Sequence, residues 1–331
     1  MSEERSIRVV HVGLGQIGRV IARRASESAR FRPVGAIDPS PELVGRTLDD
    51  VCGDGLPALP IRARVAELGE DGNGAVALHA VGSHVQEIGP QIVELVEAGL
   101  HVVTTAEELI WPFDGNPAMA ERIDEVARRC DRTVVAAGVN PGVLMDRLPA
   151  FVSSLCVRVD SIRIHRLVDL SRRRPALRRK MGVGDSAESV RERIAAGAIG
   201  HVGLRESLQY LASALQWKIG PISERLEPVV ADREVARGDE RVPAGAVLGL
   251  DHEAHAEDEG GRSLSLHLVM RLDASDPTDE ISISGDPPLH VRFIGGVDGD
   301  VATVATVLNG ARFAVEAPAG LIAKMPMPAG G

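Results

Sequence analysis

The sequence predicts an α/β chain in two parts: a doubly wound parallel sheet, then an α+β region with a mostly antiparallel sheet. Three observations predict it. β-branched runs alternate with helical patterns as far as Asp146. A glycine-rich turn, Gly13-Leu14-Gly15-Gln16-Ile17-Gly18, lies between the first strand and the first helix. After Asp146 the pattern becomes strand, turn, strand.

The elements follow in order. Ile7 to Val12 is a β-branched run that reads as a strand, and Gln16 to Ser26 has helical spacing. Pro33 to Ile37 and Ala75 to Val81 read as further strands. From Ser83 to Ala98, Val85, Ile88, Ile92, Val93 and Val96 line one buried helix face, with Pro90 as a kink or start and Gly99 as the stop. His101 to Thr104 is a strand, Met119 to Arg129 a helix, and Thr133 to Ala137 a strand. In the second part, Val157 to Val168 alternates like a half-exposed strand, and Ser186 to Ala195 and Leu204 to Leu215 are helical. Val247 to Ala256, Ser263 to Leu272 and Glu280 to Ser284 are strands, the first two joined at Asp258-Glu-Gly-Gly261. Val301 to Leu308 is helical and is expected to return to the first domain. The expected division is therefore residues 1–146 completed by 298–331, and 147–297.

Composition narrows the function. The 331 residues carry 37 Lys plus Arg against 47 Asp plus Glu, a net charge of −10. Such a field repels phosphate backbones, and five Phe, two Trp and one Tyr offer few stacking platforms, so no nucleic acid partner is expected. Cys52, Cys130 and Cys156 are scattered and odd in number, which fits a reducing cytoplasm better than a disulfide framework or a zinc site. No apolar run spans a membrane, and the acidic start MSEERSIRVV does not read as a signal peptide. The Pro/Gly/Ala-rich end, Pro326 to Gly331, reads as a loose tail.

The glycine turn is in the context that dinucleotide binding requires: strand before, helix after. Gly13 permits the tight turn, Gly15 admits a pyrophosphate, and Gly18 lets helix and strand close up. Gln16 and Ile17 open the helix whose N–H groups would face the phosphates. Asp38 ends the next strand, 20 positions past Gly18. Its carboxylate suits the ribose hydroxyls and opposes a 2′-phosphate, which favours NAD over NADP. Ser40 leaves dual use open. The competing reading of Asp38 is a turn residue before Pro39. The first domain is thus expected to be a Rossmann domain.

Three further groups can carry chemistry. Glu107 and Glu108 follow a buried strand, where a carboxylate beside a nicotinamide can move protons, or where the pair can simply favour the next helix. Gly138-Val-Asn140-Pro-Gly142 also follows a strand, and Asn140 can both donate and accept. Arg163, Arg166, Arg172, Arg173, Arg174, Arg178, Arg179 and Lys180 form a basic stretch. One or two of these can hold a substrate carboxylate, others can pair at a subunit contact, and a solvated edge suits most. His252 and His255 look metal-like but fall on opposite faces of a strand, so no metal is expected. His201 lies in a glycine-flanked loop and can reach a substrate or be structural.

Taken together, these blocks resemble the 2,4-diaminopentanoate dehydrogenase family and the related native amine dehydrogenases, distant relatives of dihydrodipicolinate reductase. The matching stretches are Gly13–Gly18, Thr104–Leu109 with Pro112, Gly138–Gly142 with Met145-Asp146, Val168–Arg173 with Lys180–Gly182, Gly200–Ser207, and Gly295–Asp300 with Thr303 and Asn309. The resemblance implies an NAD(P)-dependent oxidoreductase of amines, with a substrate and dimerisation domain, acting as a homodimer. It implies reversible deamination of a small amine, or amination of a ketone or aldehyde with ammonia. Its carboxylate falls on the acidic doublet, Glu108 preferred and Glu107 next. Thr104 and Asn140 are assigned to the coenzyme, and Val143, Met145, Arg173, His201 and Thr303 to the substrate. The alternatives are a C=N reductase of the dihydrodipicolinate type and a non-catalytic nucleotide sensor.

Overall fold

The computed structural model describes residues 6–53, 55–173, 175–237 and 240–326. Arg174 and the tail beyond Pro326 lie outside the described residues. The chain divides into two compact units, residues 1–143 with 299–331, and residues 144–298.

The first unit contains β1 (Ile7–Val12), α1 (Gln16–Ser26), β2 (Phe31–Ile37), α2 (Leu48–Cys52), β3 (Ile61–Arg62), β4 (Val76–His79), α3 (Val85–Glu97), β5 (His101–Thr104), α4 (Pro117–Arg129) and β6 (Thr133–Ala136). The second contains α5 (Arg147–Ser153), β7 (Arg158–Asp169), α6 (Pro175–Lys180), α7 (Ala187–Ala195), α8 (Leu204–Leu215) and β8 (Ser223–Val230). It continues with β9 (Val235–Arg237), β10 (Glu240–Val242), β11 (Val247–Glu257), β12 (Ser263–Arg271), β13 (Thr278–Asp286) and β14 (Leu289–Ile294). The chain then returns to the first unit as α9 (Gly299–Ala314) and β15 (Gly320–Leu321).

The first sheet has the order β15-β6-β5-β4-β1-β2-β3, with every pairing parallel. Its central strands are mostly apolar on both sides, as a sheet covered on both faces requires. Val10, Val102 and Val134 pack with Ile88, Ile92, Leu95, Ile123 and Val126 of α3 and α4. Their neighbours Val9, Val103 and Val135 pack on the other face with Ile21 of α1 and Val304, Val307 and Ala311 of α9. α9 therefore belongs to this core although it closes the sequence. α3 runs on through Pro90 as one helix.

The strand order reverses at β1, which lies between β2 and β4. In open α/β sheets this switch point is where loops diverge and leave a crevice. The register then aligns the loop starts. Ile37, Val12, His79, Thr104 and Ala136 are successive cross-strand partners. Asp38, Gly13, Ala80, Thr105 and Ala137 thus leave the sheet along one edge.

The second sheet has the order β14-β13-β7-β12-β11-β8 and is antiparallel except for β7 with β12. One face carries Ile162, Ile164, Leu264, Leu266, Leu268, Ile281 and Ile283 against Leu204, Leu208 and Leu211 of α8. The opposite face is polar. The β11–β12 turn is held by Asp258, whose carboxylate accepts the N–H groups of Gly260 and Arg262 at 2.9 Å each. Among the described residues, no helix is long and apolar enough to cross a membrane.

Candidate active site

The glycine turn at the switch point divides its work among three residues. Gly13 has φ +83°, and a Cβ there would lie 2.6 Å from the Ala80 carbonyl oxygen. Gly18 is packed on Gly13, since a Cβ on it would fall 1.9 Å from the Gly13 oxygen. A Cβ on Gly15 would meet nothing within 4 Å. The turn is thus closed on the protein side at Gly13 and Gly18 and open at Gly15, the one glycine that packing does not demand.

Gly15 is also the N-cap of α1, with no side-chain cap and no acidic residue in the first turn. Arg23 and Arg24 stand in its last turn, where they complement the dipole. The N-terminal N–H groups at Gln16 and Ile17 are arranged to accept an anion. Asp38 is tied to this turn, with Oδ2 accepting the Leu14 N–H at 2.6 Å and Oδ1 the Ser40 N–H at 2.9 Å. It is both a turn residue and the side wall of the glycine turn. The residues present therefore fit a dinucleotide: an uncapped helix start for phosphate, an open glycine, and a carboxylate at the next strand end.

The acidic doublet opens a short 3₁₀ turn, Glu107–Ile110. Glu108 has both oxygens engaged. Oε1 takes His84 Nδ1 at 2.8 Å, while Oε2 accepts the Val85 N–H at 2.7 Å and the Asn116 amide at 3.3 Å. Val85 is the first residue of α3, so Glu108 supplies the cap that His84, the local N-cap residue, lacks. This contact raises the pKa of His84 above its ordinary value, chiefly through the hydrogen bond. Glu108 thus ties the 3₁₀ turn to the start of α3. Glu107, half-buried beside it, adds to the negative field at His84. His84 escaped the sequence reading, although a His just before a helix at the strand edge was the available signal.

Several other assigned side chains belong to the framework. Thr104 is fully buried, with its hydroxyl bonded to His79 Nδ1 at 2.8 Å and to the Ala106 N–H at 3.1 Å, so that side chain does not reach a coenzyme. Met145 is likewise fully buried and packs in the second unit's core with Ile164, Leu204 and Leu208, which corrects its assignment to a substrate pocket. Its neighbour Asp146 caps α5 through the Arg147 N–H and accepts the Ser207 hydroxyl at 2.9 Å. In the Gly138–Gly142 loop, a Cβ on Gly142 would lie 2.3 Å from the Gly138 oxygen, and one on Gly138 would lie 2.6 Å from the Pro141 oxygen. These glycines close the loop on itself and do not open it to a ligand. Asn140 is half-buried at the same edge and precedes a cis peptide bond to Pro141. Val143 and Thr303 are half-buried residues of the first unit, and His201 is a half-buried loop residue of the second.

Arg166 departs from the solvated edge expected for the basic stretch. It is 3% exposed and paired with Asp279, also 3% exposed, at 2.5 Å. Asp279 Oδ2 accepts the Val297 N–H at 2.7 Å and so fixes the Gly295-Gly296 turn. Arg173 faces Asp298 at 3.6 Å. Arg166, Asp169, Arg173, Asp279 and Gly295 to Asp298 line a small cavity of about 70 Å³. Two motif blocks, Val168–Arg173 and Gly295–Asp298, thus converge in the second unit.

His252 and His255 fall on opposite faces of β11: His252 is buried, and His255 bonds Ser265 and Glu257 on the outer face.

Comparison with known proteins shows the family and the fold. A curated relative, 2,4-diaminopentanoate dehydrogenase of Acetoanaerobium sticklandii, is 27% identical over 259 residues, covering 76% of this chain and 73% of its own. An amine dehydrogenase from Mycobacterium smegmatis shares the fold, with a TM-score of 0.84 at 22% identity over 99% of this chain and 98% of that one. A putative dehydrogenase from Bordetella bronchiseptica RB50 is more distant, with a TM-score of 0.55 at 14% identity over 97% and 94%. Residues 143–330 match the family model of the 2,4-diaminopentanoate dehydrogenase C-terminal domain, and the chain belongs to that family.

Proposed function

We propose that this chain is an NAD(P)-dependent amine dehydrogenase that reductively aminates a small ketone or aldehyde with ammonia and runs in reverse as an oxidative deaminase. The observation that carries the coenzyme is the switch-point turn, closed at Gly13 and Gly18, open at Gly15 and walled by Asp38. Family membership and the dehydrogenase relative supply the reaction class. NAD is preferred in this reading, because a carboxylate at the end of the second strand suits the ribose hydroxyls and opposes a 2′-phosphate.

The bound coenzyme supplies the hydride. The chain's own residues do the rest. The α1 N-terminus at Gln16 and Ile17 binds the pyrophosphate, and Asp38 accepts the ribose hydroxyls. Glu107 takes a proton from ammonium as nitrogen bonds to the carbonyl carbon. It then returns one to the carbinolamine hydroxyl, which leaves as water. Its negative charge favours the resulting iminium. Ketone, ammonium and NADH thus give amine, water and NAD⁺. Glu108 positions Glu107 by pinning the 3₁₀ turn to α3. We place the enzyme in the cytoplasm as a homodimer.

The test is NADH oxidation over a panel of short ketones, aldehydes and keto acids, with and without ammonium. Ammonium-dependent oxidation with at least one carbonyl is expected. Oxidation that ignores ammonium would contradict the proposal and point to a C=N or C=O reductase.

A further inference from the structure

The outer face of the second sheet carries an ordered row of charge that the proposed reaction does not use. Reading across six strands in register, the residues are Arg225, Glu253, His267, His165, Glu280 and Arg292. Cations stand at both ends, carboxylates come next, and two imidazoles meet in the middle with ring centres 4.9 Å apart. Asp251 lies two residues before Glu253 on the same face. The other side of these strands is apolar core, so the row is not a by-product of burial.

At the β11–β12 end the row becomes a convergent donor set. His267 Nε2 is 3.0 Å from Asp251 Oδ1 and 3.6 Å from Glu253 Oε1, and the three donor atoms lie within 4.8 Å of one another. Donors bound at 2.0–2.1 Å around a tetrahedral ion stand roughly 3.3 Å apart. The set is therefore near the size such an ion needs. Glu253 uses its two oxygens separately: Oε1 faces His267, while Oε2 is held by Arg225 at 3.0 Å. That is how a supporting partner orients a ligating carboxylate. His165, Glu253 and His267 also line an open cavity on this face, of about 340 Å³.

We propose that Asp251, Glu253 and His267 form a binding site for a divalent transition-metal ion of the zinc type, with solvent completing the shell. An imidazole with two carboxylates suits such ions, whereas magnesium prefers an all-oxygen shell. This assignment departs from the expectation of no metal. His252 and His255 are the metal-like pair in the β11 sequence, whereas the donors are that strand's two carboxylates and a histidine of the next strand. The site belongs to the second unit alone and does not depend on the amine dehydrogenase reading.

The test is titration of chelator-treated full-length protein with Co²⁺, read by visible absorption, and with Zn²⁺ in competition. One equivalent per chain with a four-coordinate cobalt spectrum is expected, with Zn²⁺ displacing Co²⁺ and raising the unfolding temperature. His267→Gln and Glu253→Gln should each weaken binding by at least about 100-fold, beyond the loss of a supporting contact. His255→Gln, on the same face, should leave it unchanged. Glu253 is half-exposed, so Glu253→Gln keeps the test decisive if His267→Gln fails to fold. No binding, or binding that His267→Gln and Glu253→Gln leave intact, would overturn the site.

Discussion

Two glycine loops leave the same edge of the first sheet, one after β1 and one after β6, and they use glycine for opposite ends. After β1 the structure needs Gly13 and Gly18, and Gly15 is left facing open space. After β6, Gly138 and Gly142 press backbone on backbone and leave no opening. A glycine at a strand edge is therefore a ligand signal only when nothing in the protein occupies the space where its Cβ would stand.

The largest effect belongs to the closed loop. Gly142 sits at φ +132° with the Gly138 oxygen in the way of a Cβ. Gly142→Ala should lose more than about 3 kcal/mol of stability, from strain and clash together. Denaturant unfolding checks this, and a wild-type midpoint would show that the loop has room after all.

The strands under the two loops also differ. His11 of β1 and His79 of β4 are buried, and burial lowers each pKa to about 4, whereas β6 carries no titratable group. Between the ordinary value near 6.5 and 4, the unfolded chain binds protons that the folded chain does not. Stability should therefore fall as pH drops through that window, by on the order of 3 kcal/mol per imidazole at its foot. A pH series of unfolding midpoints reads the slope, and His79→Gln should flatten it.

The open loop predicts a loss confined to binding. Gly15→Ala should unfold within about 0.5 kcal/mol of wild type. Coenzyme affinity should fall about tenfold or more, a cost of about 1.4 kcal/mol. Equal coenzyme affinity in the two proteins would mean that nothing approaches Gly15.

The smallest effect lies beside these loops, at His84. Its pKa is raised by Glu108, so its contribution is fully present below about pH 6.5 and is lost as pH rises through the higher folded value. The side chain is half-exposed, so the gain is screened. The stability of wild type over His84→Gln should thus be visible at pH 6 and shrink in alkali.

What was legible in the sequence was what is encoded locally. α1 and α8 run from Gln16 to Ser26 and from Leu204 to Leu215, as their periodicity predicts, because each carries its own apolar stripe. The glycine turn was legible because its flanks lie within twenty residues. What was not legible depends on partners distant in sequence. Arg166 looks like one of eight surface cations until β13 brings Asp279, 113 residues away, against it. Glu108 reads only as one of an acidic doublet until the fold brings the start of α3, 23 residues earlier, onto its oxygen. Met145 reads as a pocket residue until the second core closes over it.

The division of labour within the acidic doublet is the central claim, and paired amination rates with coenzyme titrations on Glu107→Gln and Glu108→Gln test it most directly. Glu107→Gln should bind NADH as wild type does and lose about 10²–10⁴ in rate, while Glu108→Gln loses stability and far less rate. A Glu107→Gln enzyme that aminates at full speed would contradict the account.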